Sequence, residues 1–375
     1  MSKDQLVLLD GSRVIIEAFV KSGGEVFIGY PITPANLLYS YARQRFPMFL
    51  PAPDEITALQ WMSGISAAGK LAVTATSFPG FALMIETINM AYMMELPLVI
   101  VLAQRLGPST GSATAGAQGD ILLLRSCISG GYPIPVFCPS NLKDCWELSY
   151  KSLLTAVSLR TPVVLLTSKE MMMTNRSYNI SQFPPISPIK RPFYKGTETY
   201  KPYLSDNNLV SPFLSLGNKN HQVRINASTH NADGFIRKAT PEAMANTQRL
   251  KKKIEIRLNE AEDNYYLDNE EDSNTLIVTY GITSEAAREA VKIIRSDKRK
   301  ISLLIIKGLL PISQTILNIL KKYDNIIIAE ENISGLLKEI LYGQNRSDQI
   351  RSVNKIGQMI NPSEIVKEVK VCKTV

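Results

Sequence analysis

Short apolar runs of strand length alternate with helix-length stretches along most of the chain, and this alternation restricts the fold more than any other feature. The runs at 26–28, 71–76, 98–103, 135–138 and 162–166 read as buried strands. The stretches at 12–22, 35–45, 56–68, 81–94 and 142–159 between them read as helices. A chain of this pattern folds as α/β, with a parallel sheet covered by helices on both faces. The pattern lapses at 183–202, where Pro, Ser, Lys and Tyr dominate and predict a linker or an extended wrap. Residues 203–239 stay loop-like, and Thr240-Pro241-Glu242 then opens a charged helix running to about 262, with Thr240 as cap and Pro241 at the first helical position. A second α/β unit follows, with strands at 276–280, 301–306 and 326–330 and helices at 284–295 and 312–322. The expected division is therefore 1–180, 181–272 and 273–375, without a repeat of fixed period.

The 375 residues, 45% of them hydrophobic, suffice for two or three cores. The longest apolar run, 96–103, is broken by Pro97 and falls far short of the roughly 20 residues a membrane span needs. Met-Ser-Lys-Asp-Gln at the start lacks a signal-peptide pattern, so a cytoplasmic protein without membrane attachment is expected. Cys127, Cys138, Cys145 and Cys372 form no C-x-x-C pair, which argues against zinc or a complete iron–sulfur site within this chain and for reduced, buried thiols. His221 and His230 leave little material for histidine-based metal or triad chemistry. The net charge of +8 is diffuse. Its compact clusters, Lys251-Lys252-Lys253 and Lys298-Arg299-Lys300, carry no interleaved aromatics and read as solvated faces, not as a nucleic-acid stripe. An acidic protein partner or an anionic ligand fits the charge.

Three predicted strand ends carry residues suited to a site. After 26–28, Gly29-Tyr30-Pro31-Ile32-Thr33-Pro34 holds Thr33 in a proline-stiffened turn. After 71–76, Ser77-Phe78-Pro79-Gly80 reads as another turn; after 98–103 come Gln104 and Arg105. Ligands of open α/β sheets bind beyond the carboxyl ends of the strands. Glu55 begins the apolar helix, where its charge either favours the helix dipole or serves proton transfer. Arg105 is either a routine ion-pair partner or the recognition group for an anionic substrate. The methionines of the helix at 81–94 read as core packing. Gly64 to Leu71 mimics a phosphate loop but ends in Leu instead of Ser or Thr, and it closes a helix where a phosphate loop opens one. No G-x-G-x-x-G follows the first strand, which weighs against a nicotinamide dehydrogenase.

Taken in order, Tyr30-Pro31-Ile32-Thr33-Pro34, Asp54-Glu55, Thr76-Ser77-Phe78-Pro79-Gly80 and Gln104 to Gly111 resemble the alpha subunits of 2-oxoacid:ferredoxin oxidoreductases, most closely the 2-oxoglutarate type. The resemblance extends to Thr229 to Gly234, Tyr280-Gly281 and Glu330-Glu331-Asn332, and so covers nearly the whole chain. It implies a pyrimidine-binding domain for thiamine diphosphate, followed by a smaller domain of transketolase C-terminal-like type. It also implies a beta subunit that holds the diphosphate with Mg²⁺, iron–sulfur clusters on partners, ferredoxin as electron acceptor, and coenzyme A as acyl acceptor. On this resemblance Glu55 is the catalytic residue and contacts the aminopyrimidine ring. Pro31 and Thr33 line the cofactor pocket, and Thr33 and Arg105 meet the 2-oxoacid. Phe78 and Leu106 depart from the family pattern, which has glycine at both places, and the loop 112–119 departs as well. Two other functions compatible with the residues are a catalytically silent assembly subunit and a flavodoxin-like electron carrier; the missing hydroxyl-rich phosphate loop counts against the latter.

Overall fold

A computed structural model describes residues 5–260, 264–343 and 347–371. The first four residues, the end of the charged helix at 261–262, and Cys372 lie outside the described residues. In chain order the strands are β1 (Leu6–Leu9), β2 (Val26–Gly29), β3 (Met48–Pro51), β4 (Ala72–Thr76), β5 (Leu98–Gln104), β6 (Val136–Phe137) and β7 (Pro162–Ser168). They continue as β8 (Arg176–Asn179), β9 (Tyr265–Asp268), β10 (Thr275–Tyr280), β11 (Ser302–Ile306), β12 (Gly308–Leu310), β13 (Asn325–Glu330) and β14 (Ile350–Asn354).

The main sheet runs β12-β6-β7-β5-β4-β2-β3, parallel except at β12. Alternate side chains of its strands face opposite layers, as the pleat requires. Val26 and Ile28 join one buried cluster with the helices Glu55–Ala67 and Phe78–Met93, while Phe27, Val73 and Val99 join the other with Gly11–Lys21 and Leu142–Leu159. The predicted two-faced parallel sheet is therefore present. A second sheet, β14-β13-β10-β11-β9, is parallel apart from its edge strand β9. Its inner side chains, among them Leu276, Val278 and Leu304, belong to the same cluster as Val26 and Ile28, so one apolar core joins the two sheets. β12 reaches from the second unit to extend the first sheet.

Two local readings are corrected. Ser77 to Gly80 is not a free turn: the helix begins at Phe78, with Ser77 at the cap position. Proline lacks the N–H that the first turn leaves unsatisfied anyway, so Pro79 fits there without cost. Lys253 is not solvated either. It is fully buried, its Nζ 2.7 Å from a carboxylate oxygen of Glu95. Glu95 also pairs with Arg249, and its carbonyl accepts from Arg160 Nε at 3.3 Å. Arg160 Nη1 in turn donates to the carbonyls of Pro202, Ser211 and Pro212. This buried charge cluster ties the wrap segment and the helix Pro241–Glu260 to the amino edge of the main sheet. Burial pushes the Glu95 carboxyl up, but Lys253 and Arg249 outweigh that and hold it below the usual carboxylate range. Burial pulls the Lys253 ammonium down to about 8 against the opposing pull of Glu95.

Candidate functional site

β5, β4 and β2 are neighbours in the sheet, so their carboxyl ends come together at one edge. There the chain places Thr33, Gly80 and Arg105. Arg105 Nη1 donates to the Thr33 carbonyl at 2.6 Å, which joins the first and third of the predicted strand ends directly. Pro31 is exposed and Thr33 half-buried.

Glu55 is set by its predecessor. The Asp54 carboxylate accepts from the Thr57 amide at 2.7 Å and caps the helix, so Glu55 becomes its first residue. Only 6% of Glu55 is exposed. Among the described residues nothing hydrogen-bonds its carboxylate, which sits in the first turn of the helix where the dipole favours a negative charge. Gly80 lies hard against it: a Cβ there would stand 2.5 Å from Glu55 Oε1 and 2.6 Å from Glu55 Cγ, and closer still to Thr76 Oγ1. Glycine at this place thus lets the helix Phe78–Met93 start directly over the carboxylate, a function that the sequence showed only as a generic turn residue. Phe78, one of the two departures from the family pattern, is half-buried in that first helical turn.

Alanine at Gly80 separates packing from helix propensity. Alanine is the better helix former by about 1 kcal/mol, yet here it must displace Glu55. A displacement of about 1 Å at a reacting group can cost 10²-fold in rate, and Gly80→Ala is expected to lower turnover by about that factor with folding retained. Gly64→Ala, on the neighbouring helix where a Cβ meets nothing within 4 Å, is the control. Steady-state rates of the two variants check this; equal rates would show that Gly80 does not set the carboxylate.

The loop after Arg105 is clamped to the second unit. Leu106 bridges to Ser112, and the Gly116 amide donates to Glu170 Oε1 at 3.1 Å. Gln118 then makes a buried hub: its amide donates to the Glu331 carbonyl at 2.8 Å, its Nε2 to the Tyr280 carbonyl at 2.9 Å, and its Oε1 accepts from Thr283 Oγ1 at 2.9 Å. Tyr280 and Asn332 each donate to the Gln118 carbonyl. Burial pushes the Glu331 carboxyl up to about 7. Gln118 gave no signal in the sequence, because its partners lie far away along the chain. No group of side chains among the described residues is arranged to hold a metal ion, and no described helix is long and apolar enough to cross a membrane.

This arrangement offers a partner-free buried carboxylate and a cation at one sheet edge. Such a carboxylate suits a ring nitrogen that must share a proton, so the residues fit the aminopyrimidine of thiamine diphosphate. Residues 17–254 match the family described as pyruvate flavodoxin/ferredoxin oxidoreductase, thiamine diphosphate-binding. The chain is 27% identical over 369 residues to the 2-oxoglutarate synthase subunit KorA of Methanocaldococcus jannaschii, covering 96% of this chain and 98% of that relative. It superposes with a TM-score of 0.91 and 26% identity on a 2-oxoglutarate:ferredoxin oxidoreductase from Magnetococcus marinus, solved with 2-oxoglutarate, coenzyme A and succinyl-CoA bound. That alignment covers 99% of this chain and 66% of the other. A split-gene transketolase, an inactive tetramer, shares the fold at a TM-score of 0.55 and 14% identity, over 96% of this chain and 97% of the other.

Proposed function

We propose, from the premise that the chain belongs to the pyruvate flavodoxin/ferredoxin oxidoreductase family through its thiamine-diphosphate-binding domain, that it is the alpha subunit of a 2-oxoacid:ferredoxin oxidoreductase. The reaction is oxidative decarboxylation of a 2-oxoacid, with 2-oxoglutarate the best candidate, to carbon dioxide and an acyl-CoA, two electrons passing to ferredoxin. The observation that carries this reading is the buried Glu55 carboxylate, free of partners and pressed against Gly80 at the strand-end edge. When bound, thiamine diphosphate supplies the electron sink that makes loss of the carboxylate feasible.

The chain's own residues have distinct parts in this. With thiamine diphosphate bound, Glu55 would hydrogen-bond the aminopyrimidine ring and exchange a proton with it. Pro31 and Thr33 line the pocket beside the ring. Arg105, already fixed to the Thr33 carbonyl, faces the anionic 2-oxoacid and contributes a charge-assisted hydrogen bond. On the family resemblance, the diphosphate, its Mg²⁺ and the iron–sulfur cluster belong to partner subunits.

The division of labour is tested by separating the chain from its partner. The isolated chain is expected to show no 2-oxoacid-dependent dye reduction and no tight binding of Mg²⁺-thiamine diphosphate, and to acquire both on reconstitution with the co-purified partner. Robust dye reduction by the isolated chain would refute the reading.

A further inference from the structure

We propose that the cavity between the wrap segment and the amino edge of the main sheet binds a phosphomonoester, its phosphate held by Arg160 and Arg191 and its apolar body by Phe193. The cavity measures about 500 Å³, and its walls include Arg160, Arg191, Phe193, Leu204, Ser211 and Phe213. Cations outnumber their counter-charges here. Arg160, Arg191, Arg249 and Lys253 are all buried at this edge. Among the described residues Glu95 is the only buried carboxylate bonded to any of them, and Arg249 and Lys253 occupy it. Arg160 is met by the backbone carbonyls described above. Arg191 has a single acceptor, the Ser66 carbonyl, 2.7 Å from its Nη1. Its Nε and Nη2 are buried without a partner, and so is Ser211 Oγ. Arg191 is 9% exposed and Ser211 1%.

One ring gathers the two guanidiniums. The guanidinium carbon of Arg191 stands 3.2 Å from the centroid of Phe213, and that of Arg160 stands 5.5 Å from it. Burial first, and the Arg160 charge second, disfavour the Arg191 cation. A phosphomonoester brings about two negative charges at neutral pH and acceptor oxygens that match the planar fork of arginine. Such an anion supplies the counter-charge and the acceptors that the chain itself lacks here. Among the described lining residues Asp206 is the one carboxylate, and it is exposed, whereas Arg257 adds a third, half-buried cation. The same walls offer apolar surface, with Phe193 45% and Leu204 55% exposed. A bare phosphate would leave that surface unused. Glu95 and Arg160 precede β5 and β7, so the cavity lies at the opposite edge of the sheet from Glu55 and Arg105. It is therefore separate from the cofactor and 2-oxoacid pocket.

The test titrates the assembled complex, loaded with thiamine diphosphate and free of coenzyme A, with phenyl phosphate, reading the heat of binding and the melting temperature. Phenyl phosphate should saturate one site per chain with a Kd of about 1 mM or tighter, and the melting temperature should rise with its concentration. Inorganic phosphate, lacking the apolar body, should bind about ten-fold more weakly. Chloride at equal ionic strength should do neither. Arg191→Gln should weaken phenyl phosphate binding by one to two orders of magnitude, the worth of a charge-assisted hydrogen bond. Phe193→Ala, at an exposed position, should bring phenyl phosphate down to the affinity of inorganic phosphate. The absence of saturable phenyl phosphate binding in the wild type would overturn the proposal. So would equal affinity in the wild type and either variant, which would leave these side chains to packing alone. Binding of a polyglutamate peptide in place of phenyl phosphate would overturn it too, by giving the cavity to an acidic protein segment.

Discussion

Turnover of the assembled complex is expected to fall ~10²–10⁴-fold when Glu55 becomes glutamine, with folding and subunit assembly intact. Glutamine preserves the size of the side chain and its hydrogen-bonding capacity, but it cannot exchange a proton with a ring nitrogen. The buried setting sharpens the distinction, since among the described residues no other group bonds the Glu55 carboxylate and could take over. If Glu55 served only the helix terminus, the change would cost ~0.3–1 kcal/mol of stability and leave turnover nearly untouched. Steady-state turnover together with size-exclusion profiles of the reconstituted complex separates the two. Near-normal turnover would assign Glu55 to the helix dipole alone.

The second large effect lies at the opposite edge of the sheet. Glu95→Ala would leave the ammonium of Lys253 and the guanidinium of Arg249 buried without their shared carboxylate. Breaking one partner out of a buried pair costs about 3–5 kcal/mol, a fifth or more of the ~5–15 kcal/mol that holds a typical domain. Lys251→Ala on the same helix is the comparison, because Lys251 is half-exposed and, among the described residues, pairs with Glu255 across the surface. Such a surface pair is worth ~0.2–1 kcal/mol. Denaturant midpoints of the two variants should therefore differ widely. Equal midpoints would mean that the Glu95 cluster contributes no more than a solvated ion pair.

These two regions were unequally legible in the sequence. The central strands β2, β4, β5 and β7 were plain, because each is an apolar run bounded by glycine, proline or polar residues and buried on both faces. The edge strands β3, β9 and β12 were not: they are short, and much of β3 and β9 is only half-buried, so neither a continuous nor an alternating pattern marks them. Pro79 and Gly80 suggested a break, yet a helix tolerates proline in its first turn, and the glycine is there for Glu55. Lys253 looked like part of a solvated run because its partner Glu95 lies 158 residues away in the chain. At the site, Thr33, Glu55 and Arg105 could be picked out since each follows a strand or opens a helix. Gln118 could not, because only the folded chain brings it to Tyr280, Thr283 and Glu331.

The central claim is that Glu55 provides the acid–base group for the cofactor's ring, and exchange of the C2 proton of bound thiamine diphosphate reads that function without the later steps. In the wild-type complex, exchange into deuterated buffer should be fast relative to turnover. In Glu55→Gln it should slow by ~10²–10⁴-fold while the cofactor stays bound. Wild-type exchange in the cofactor-loaded variant would contradict the account.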